Sequence, residues 1–105
     1  MVRISENYRL IILDDAQNDI DEYINTIRYV FDAPMTAKKH YDGLYDLFRQ
    51  IEKRPTAFSV RTTPSLLQYG YNVRRANYKK MSIIYTITGF TVYVHRVVAA
   101  SMIIE

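Results

Sequence analysis

The dipeptide Thr88-Gly89 separates two runs of alternating side chains, Lys79 to Ile87 and Phe90 to Val98. A two-residue link containing glycine, flanked by β-branched and aromatic residues, points to an antiparallel hairpin. A third run, Tyr69 to Ala76, is joined loosely through Asn77-Tyr78 and extends the hairpin to a three-stranded meander. Alternation divides its faces. Phe90, Val92 and Val94 share one with Met81, Ile83, Tyr85 and Ile87, while Thr91, Tyr93 and His95 share the other with Ser82, Ile84 and Thr86. The first face needs an apolar cover; the second, with the cations of positions 74 to 80 near its edge, is expected to stay open.

The cover lies upstream. Tyr8 to Leu13 (YRLIIL) reads as a short buried strand that stops at Asp14 and Asp15. Asp14 and Gln17 have the spacing of a capping box, and Ala16, Ile20, Tyr23, Ile24, Ile27 and Val30 or Phe31 then recur at helical intervals. Asp32-Ala33-Pro34 breaks this helix, with Asp32 suited to cap a second one and Pro34 to its first turn. So short a link forces an antiparallel helical hairpin. The second helix carries Tyr41, Leu44, Leu47, Phe48 and Ile51 on one stripe and ends at Arg54-Pro55. Tyr23 and Tyr41 are therefore expected in the core. Gly43, which costs a helix about 1 kcal/mol relative to alanine, predicts close approach of the two helices. Residues 55 to 68 have neither period and read as a long loop with one short turn of helix. The order is β-α-α-β-β-β: an α+β fold in which a helical hairpin packs on one face of a mainly antiparallel four-stranded sheet.

At 105 residues the chain fits one domain with a single core. It has no cysteine, which removes disulfides, thiolate metal sites and cysteine nucleophiles, and a reducing cytoplasm fits. No run approaches the roughly 20 apolar residues of a membrane span, and the first ten residues lack the apolar stretch of a secretory signal. Charge is divided unevenly. Residues 1 to 52 hold ten of the eleven acids and six bases, a net of −4; residues 53 to 105 hold eight bases and one acid, a net of +7. That polarity predicts an anionic partner for the second half, although a solvated basic surface reads the same way.

His40 and His95 are the only imidazoles and lie far apart, so no metal site is expected, and no glycine-rich phosphate loop or Ser-His-Asp pattern is present. Metal-free RNA cleavage needs a base, an acid and cations around the phosphate. Arg74, Arg75, Lys79, Lys80, Tyr85, His95 and Arg96 supply suitable types. Only His95 combines a place on the open face with a pKa near neutrality, and a lone histidine beside lysines is equally an ordinary strand-surface residue. Tyr71, Tyr78 and Tyr93 suit stacking on bases or packing at a protein interface.

Three stretches in order resemble the RelE/ParE superfamily of bacterial toxins from type II toxin-antitoxin pairs: YRLIILDDAQNDIDEYINTI (8 to 27), AKKHYDGLYDLFRQIEKRP (37 to 55) and YNVRRANYKKMSIIYTITGFTVYVHRVV (71 to 98). The resemblance runs from Tyr8 to about Met102 and implies one toxin domain with a core of about 8–98 and short tails. RelE-like members cleave messenger RNA on the ribosome; ParE-like members bind DNA gyrase. Arg74 matches a RelE-like cation, whereas Asn72 and Ser82 stand where Lys and Arg would be, and AASMIIE after Val98 holds no arginine. RVVAASM (96 to 102) is similar to the ParE-like ending, with Ala99 and Ala100 at positions usually His and Gln or Gly.

The resemblance therefore implies a ParE-like inhibitor of gyrase that acts by binding, needs no cofactor and is neutralised by a cognate antitoxin. Arg74, Arg75, Lys79, Lys80, Tyr93, His95 and Arg96 are the residues expected to contact the target, and Ile103 and Ile104 those expected to dock the antitoxin. The alternatives are a ribosome-dependent endoribonuclease using His95, Arg74 and Lys79, and an inactive toxin relic or plain interaction module.

Overall fold

The alternation that defines the meander is kept in space, with one interruption. In the computed structural model, which describes residues 8–105, strands β1 (Arg9–Ile12), β2 (Arg74–Tyr78), β3 (Met81–Thr88) and β4 (Thr91–Ala99) form one sheet in the order β1-β4-β3-β2. The tail before Tyr8 lies outside the described residues. β1 runs parallel to β4, and the two remaining pairings are antiparallel. The turns sit slightly later than the sequence suggests. Lys79-Lys80 rather than Asn77-Tyr78 joins β2 to β3, and Gly89-Phe90 rather than Thr88-Gly89 joins β3 to β4, with Lys79 and Gly89 both at positive φ. β2 is also shorter than the run from Tyr69, because Gly70 and Asn72 take positive φ and turn the chain before Val73.

Helices α1 (Asp14–Asn25) and α2 (Pro34–Lys53) cover one face of the sheet. Ala16, Ile20 and Ile24 of the first and Ala37, Leu44, Leu47, Phe48 and Ile51 of the second meet Ala76, Ile83, Tyr85, Val92, Val94 and Val97 in a single buried cluster. The expected caps are absent. Leu13 and Ala33 occupy the N-cap positions without side-chain hydrogen bonds, Gln17 donates to Asp21 instead of closing a box, and Asp32 sits at φ 49° in the turn. Pro34 does open α2.

Other expectations about the core need correction. Tyr41 is exposed and stacks on Tyr45, since it lies at the rim of the α2 stripe. Phe90 lies in the turn, 56% exposed, against Tyr8. Gly43 is needed because the Tyr78 ring of β2, not the other helix, occupies the place of its Cβ.

Across the β3–β4 ladder, Tyr85 pairs with Val94 and Ile84 with Arg96, leaving His95 as an extra residue. This bulge reverses the alternation, so Val97 rather than Arg96 faces the helices. The opposite face of the sheet is not open. The segment after α2, including the short helix α3 (Pro64–Leu67), crosses it together with the residues after β4, and Leu66, Val73 and Ile84 form a second small buried cluster with Tyr69 and Ile103 against it. Ser82 and Thr86, read as solvent-facing, are buried for that reason.

Candidate functional site

The cations of YNVRRANYKK do not share one surface. Arg74 lies on the helix side of β2, where its Nη1 donates to the carbonyls of Phe58 and, at 3.4 Å, Thr56. Arg75 projects from the other face, and its Nε donates to Ser82 Oγ at 3.0 Å and Asn77 Oδ1 at 3.2 Å. Lys79 and Lys80 are exposed in the β2–β3 turn, Lys79 lying over the Tyr78 ring at 5.8 Å from its centre. The bulge puts Arg96 on the sheet face opposite the helices, from which its side chain still reaches α1. Its Nε and Nη2 donate to the two carboxylate oxygens of Asp19 at 2.7 and 3.0 Å, and the pairing holds the guanidinium pKa above its ordinary value.

His95 is half-buried beneath Tyr69, with Nε2 2.8 Å from Thr86 Oγ1. Burial pushes its pKa below the ordinary histidine value, which favours the neutral ring. Arg74, Arg75 and Arg96 are held by different partners, the Phe58 carbonyl, Ser82 and Asp19, and only Arg96 shares a neighbour, Tyr69, with His95. Tyr85 faces the core, as its parity indicates, and its hydroxyl donates to Pro55 O at 2.6 Å. Desolvation raises the phenol pKa to about 12, and the charge of Arg74 offsets part of that rise. The second histidine, His40, lies between helices: Tyr23 and His40 Nδ1 form a short hydrogen bond, and Tyr78 packs on the imidazole edge.

One cluster of exposed apolar side chains was not evident from periodicity. After Asn25 the first helix widens into a π turn, Thr26–Val30, where Phe31 N–H bonds to Thr26 O, five residues back. The wider turn rotates the following side chains off the buried stripe. Tyr29, Val30, Phe31 and Met35 consequently stand at the hairpin tip, between 71 and 75% exposed. The reading of Val30 or Phe31 as core is thus corrected; the available signal was the cluster of β-branched and aromatic residues in TIRYVF just before a break. Phe31 also lines a groove of about 500 Å³ between α1 and the second half of β4, together with Ile27, Met81, Val98, Ala99 and Met102. β1 pairs only with Thr91 to Val94, so among the described residues the later part of that β4 edge has no strand neighbour.

After β4 the chain makes a 3-10 turn, Ala100–Met102, and returns over the second sheet face. Ile103 enters the small cluster with Leu66, whereas Ile104 is 82% exposed. Glu105 reaches Arg75. Among the described residues no group of three or more His, Asp or Glu side chains could hold a metal ion, and no helix is long and apolar enough to cross a membrane.

Residues 10–104 match the family described as the ParE toxin of the type II toxin-antitoxin system, parDE. No curated protein matches the sequence. Among solved structures, the fold is similar to a chain of the chromosomal ParDE TA system from P. aeruginosa, with a TM-score of 0.71 at 16% identity over 90% of this chain and 98% of that one. The β-α-α-β-β-β order, the helical hairpin on one sheet face and a family match across nearly the whole chain lead to one conclusion: this chain belongs to the ParE toxin family of type II toxin-antitoxin systems.

Proposed function

We propose that the protein arrests growth in the cytoplasm by binding DNA gyrase, and that a cognate antitoxin neutralises it. The observation carrying this reading is the dispersal of the cations. A phosphate-cleaving site needs positive groups converging where charge develops, whereas Arg74 serves loop carbonyls, Arg96 serves Asp19, and Arg75 is tied to Ser82 and Glu105. Recognition of a macromolecule requires no such convergence. Lys79, Lys80 and the half-buried Tyr93 remain available on the sheet side, and the apolar tip supplies the kind of anchor that dominates protein interfaces. The groove between α1 and β4, continuous with the tip through Phe31, is the natural seat for an antitoxin segment, with Ile104 free at its own surface.

Purified toxin should inhibit gyrase supercoiling. Val30→Ser/Phe31→Ser should weaken that inhibition at least tenfold with little change in thermal stability, because both side chains are already in water. Neutralising Lys79 and Lys80 should weaken it further. Cleavage of ribosome-bound message by the wild-type protein, lost in His95→Ala, would replace this reading by the endoribonuclease. Confirmed soluble expression without growth arrest would favour the relic.

A further inference from the structure

The second face of the sheet carries a small receptor, and the chain already has a ligand in it. Residues 103–105 lie across this face and are held at three points. Ile103 packs with Leu66, Val73, Ile84 and Tyr69. Ser65 Oγ donates to the Ile104 carbonyl at 3.1 Å. Glu105 accepts from Arg75 Nη1 at 2.6 Å and from Thr63 Oγ1 at 3.0 Å, with Arg61 Nη1 3.5 Å away. The contacts read one apolar side chain, one backbone carbonyl and one carboxylate two residues on. That is recognition of an extended peptide rather than of an isolated anion.

Two features distinguish a receptor from a simple tie for the chain. First, Arg75 is positioned without help from Glu105. Ser82 Oγ and Asn77 Oδ1 accept from its Nε, Ser82 in turn donates to Asn77 at 2.6 Å, and the arginine side chain is only 12% exposed. A guanidinium held in this way loses little freedom when a carboxylate arrives. Second, the present occupant leaves capacity unused. Arg61 Nε is buried with no hydrogen-bond partner among the described residues, and a cavity of about 200 Å³ remains beside Ile103, lined by Leu66, Gln68, Tyr69 and Val98.

We infer that the surface formed by Leu66, Ser65, Thr63, Arg61 and Arg75 is a binding site for a partner-protein segment of the pattern apolar-any-acidic, which residues 103–105 occupy in cis. The fit is one of charge as well as shape, since this half of the chain is strongly basic and Glu105 is its only acid. Burial alone would raise the Glu105 carboxyl, yet the Thr63 and Arg75 hydrogen bonds and the two arginine charges hold it below its ordinary value. A segment in cis competes at an effective concentration on the order of millimolar, so a partner must displace it. The inference does not depend on gyrase being the target.

The test uses a fluorescein-labelled peptide VAASMIIE, residues 98–105, and the full-length protein. The variant Ile103→Ser/Glu105→Gln weakens the cis segment and should bind the peptide at least tenfold more tightly than wild type does. Adding Arg75→Ala should reverse that gain, and a peptide carrying Gln for the glutamate or Ser for the first isoleucine should bind at least tenfold more weakly. Glu105→Gln alone serves if the double variant fails to fold by circular dichroism. Absence of saturable peptide binding to the folded variants would overturn the proposal, as would binding indifferent to Arg75. Capture of a labelled single-stranded oligonucleotide in place of the peptide would equally overturn it, in favour of a phosphate site.

Discussion

A carboxylate on α1, Asp19, accepts from both Nε and Nη2 of Arg96 and from the Val97 backbone N–H at 3.0 Å. It therefore satisfies the arginine and one donor of the β4 edge that β1 leaves unpaired. Asp19→Ala removes all three bonds and leaves a partly buried guanidinium without its carboxylate and a backbone donor without its acceptor. A loss of about 1.5–3 kcal/mol in unfolding free energy is expected for hydrogen bonds to a charged group, readable from urea denaturation; a loss below about 0.5 kcal/mol would remove this clamp from the account. None of it was legible beforehand. Asp19 stands among Asn18, Asp21 and Glu22 on what reads as a solvated helix face, and its partner is 77 residues away. The expectation that Arg96 contacts the target did not include this clamp, because the His95 bulge has no signature in the composition of β4.

At the level of elements, the contact between α2 and β2 turns on Gly43, where the Tyr78 ring fills the space of a side chain. Gly43→Ala gains about 1 kcal/mol of helix propensity but must push the ring aside, an overpacking that typically costs about 1–3 kcal/mol. The single variant should be destabilised, and in a Tyr78→Ala background the same substitution should become stabilising. Thermal unfolding of all four proteins measures the coupling, and additive effects would refute the contact. The helices themselves were legible because their buried stripes, Ala16-Ile20-Ile24 and Leu44-Leu47-Phe48-Ile51, follow the 3.6 period. Their ends were not. A π turn and a turn residue at positive φ depend on backbone geometry that periodicity does not carry, so the exposed tip was mistaken for core.

For the molecule as a whole, acid sensitivity follows from its two histidines. Burial lowers the pKa of both, and the charge of Lys79 lowers His40 further. The unfolded chain then binds protons first as pH falls below about 6.5, so stability declines from that point toward the lower folded-state values. Carboxylates such as Glu105, whose folded pKa is also depressed, contribute only at more acidic pH. His40→Gln/His95→Gln should therefore flatten the dependence of melting temperature between pH 7 and pH 5; an unchanged slope would sink the assignment. The layer arrangement was legible in the order of elements, but the covering of the second sheet face was not, because residues 55 to 68 carry no periodic pattern to say what they pack against. That cover and the cis segment engage Arg75, a contact that no periodic pattern announces.

The extra residue at position 95 gives β4 two frames. Up to Val94 the even positions belong to the helical side, and from Val97 the odd ones do. One strand can thus present Val94 and Val97 to the helical layer while Arg96, on the opposite face, reaches Asp19 of α1. Any comparison of this strand with a relative's must be made in two pieces: deleting His95 would leave Val97 in the core, whereas regular pairing carried through His95 would put Arg96 there in its place.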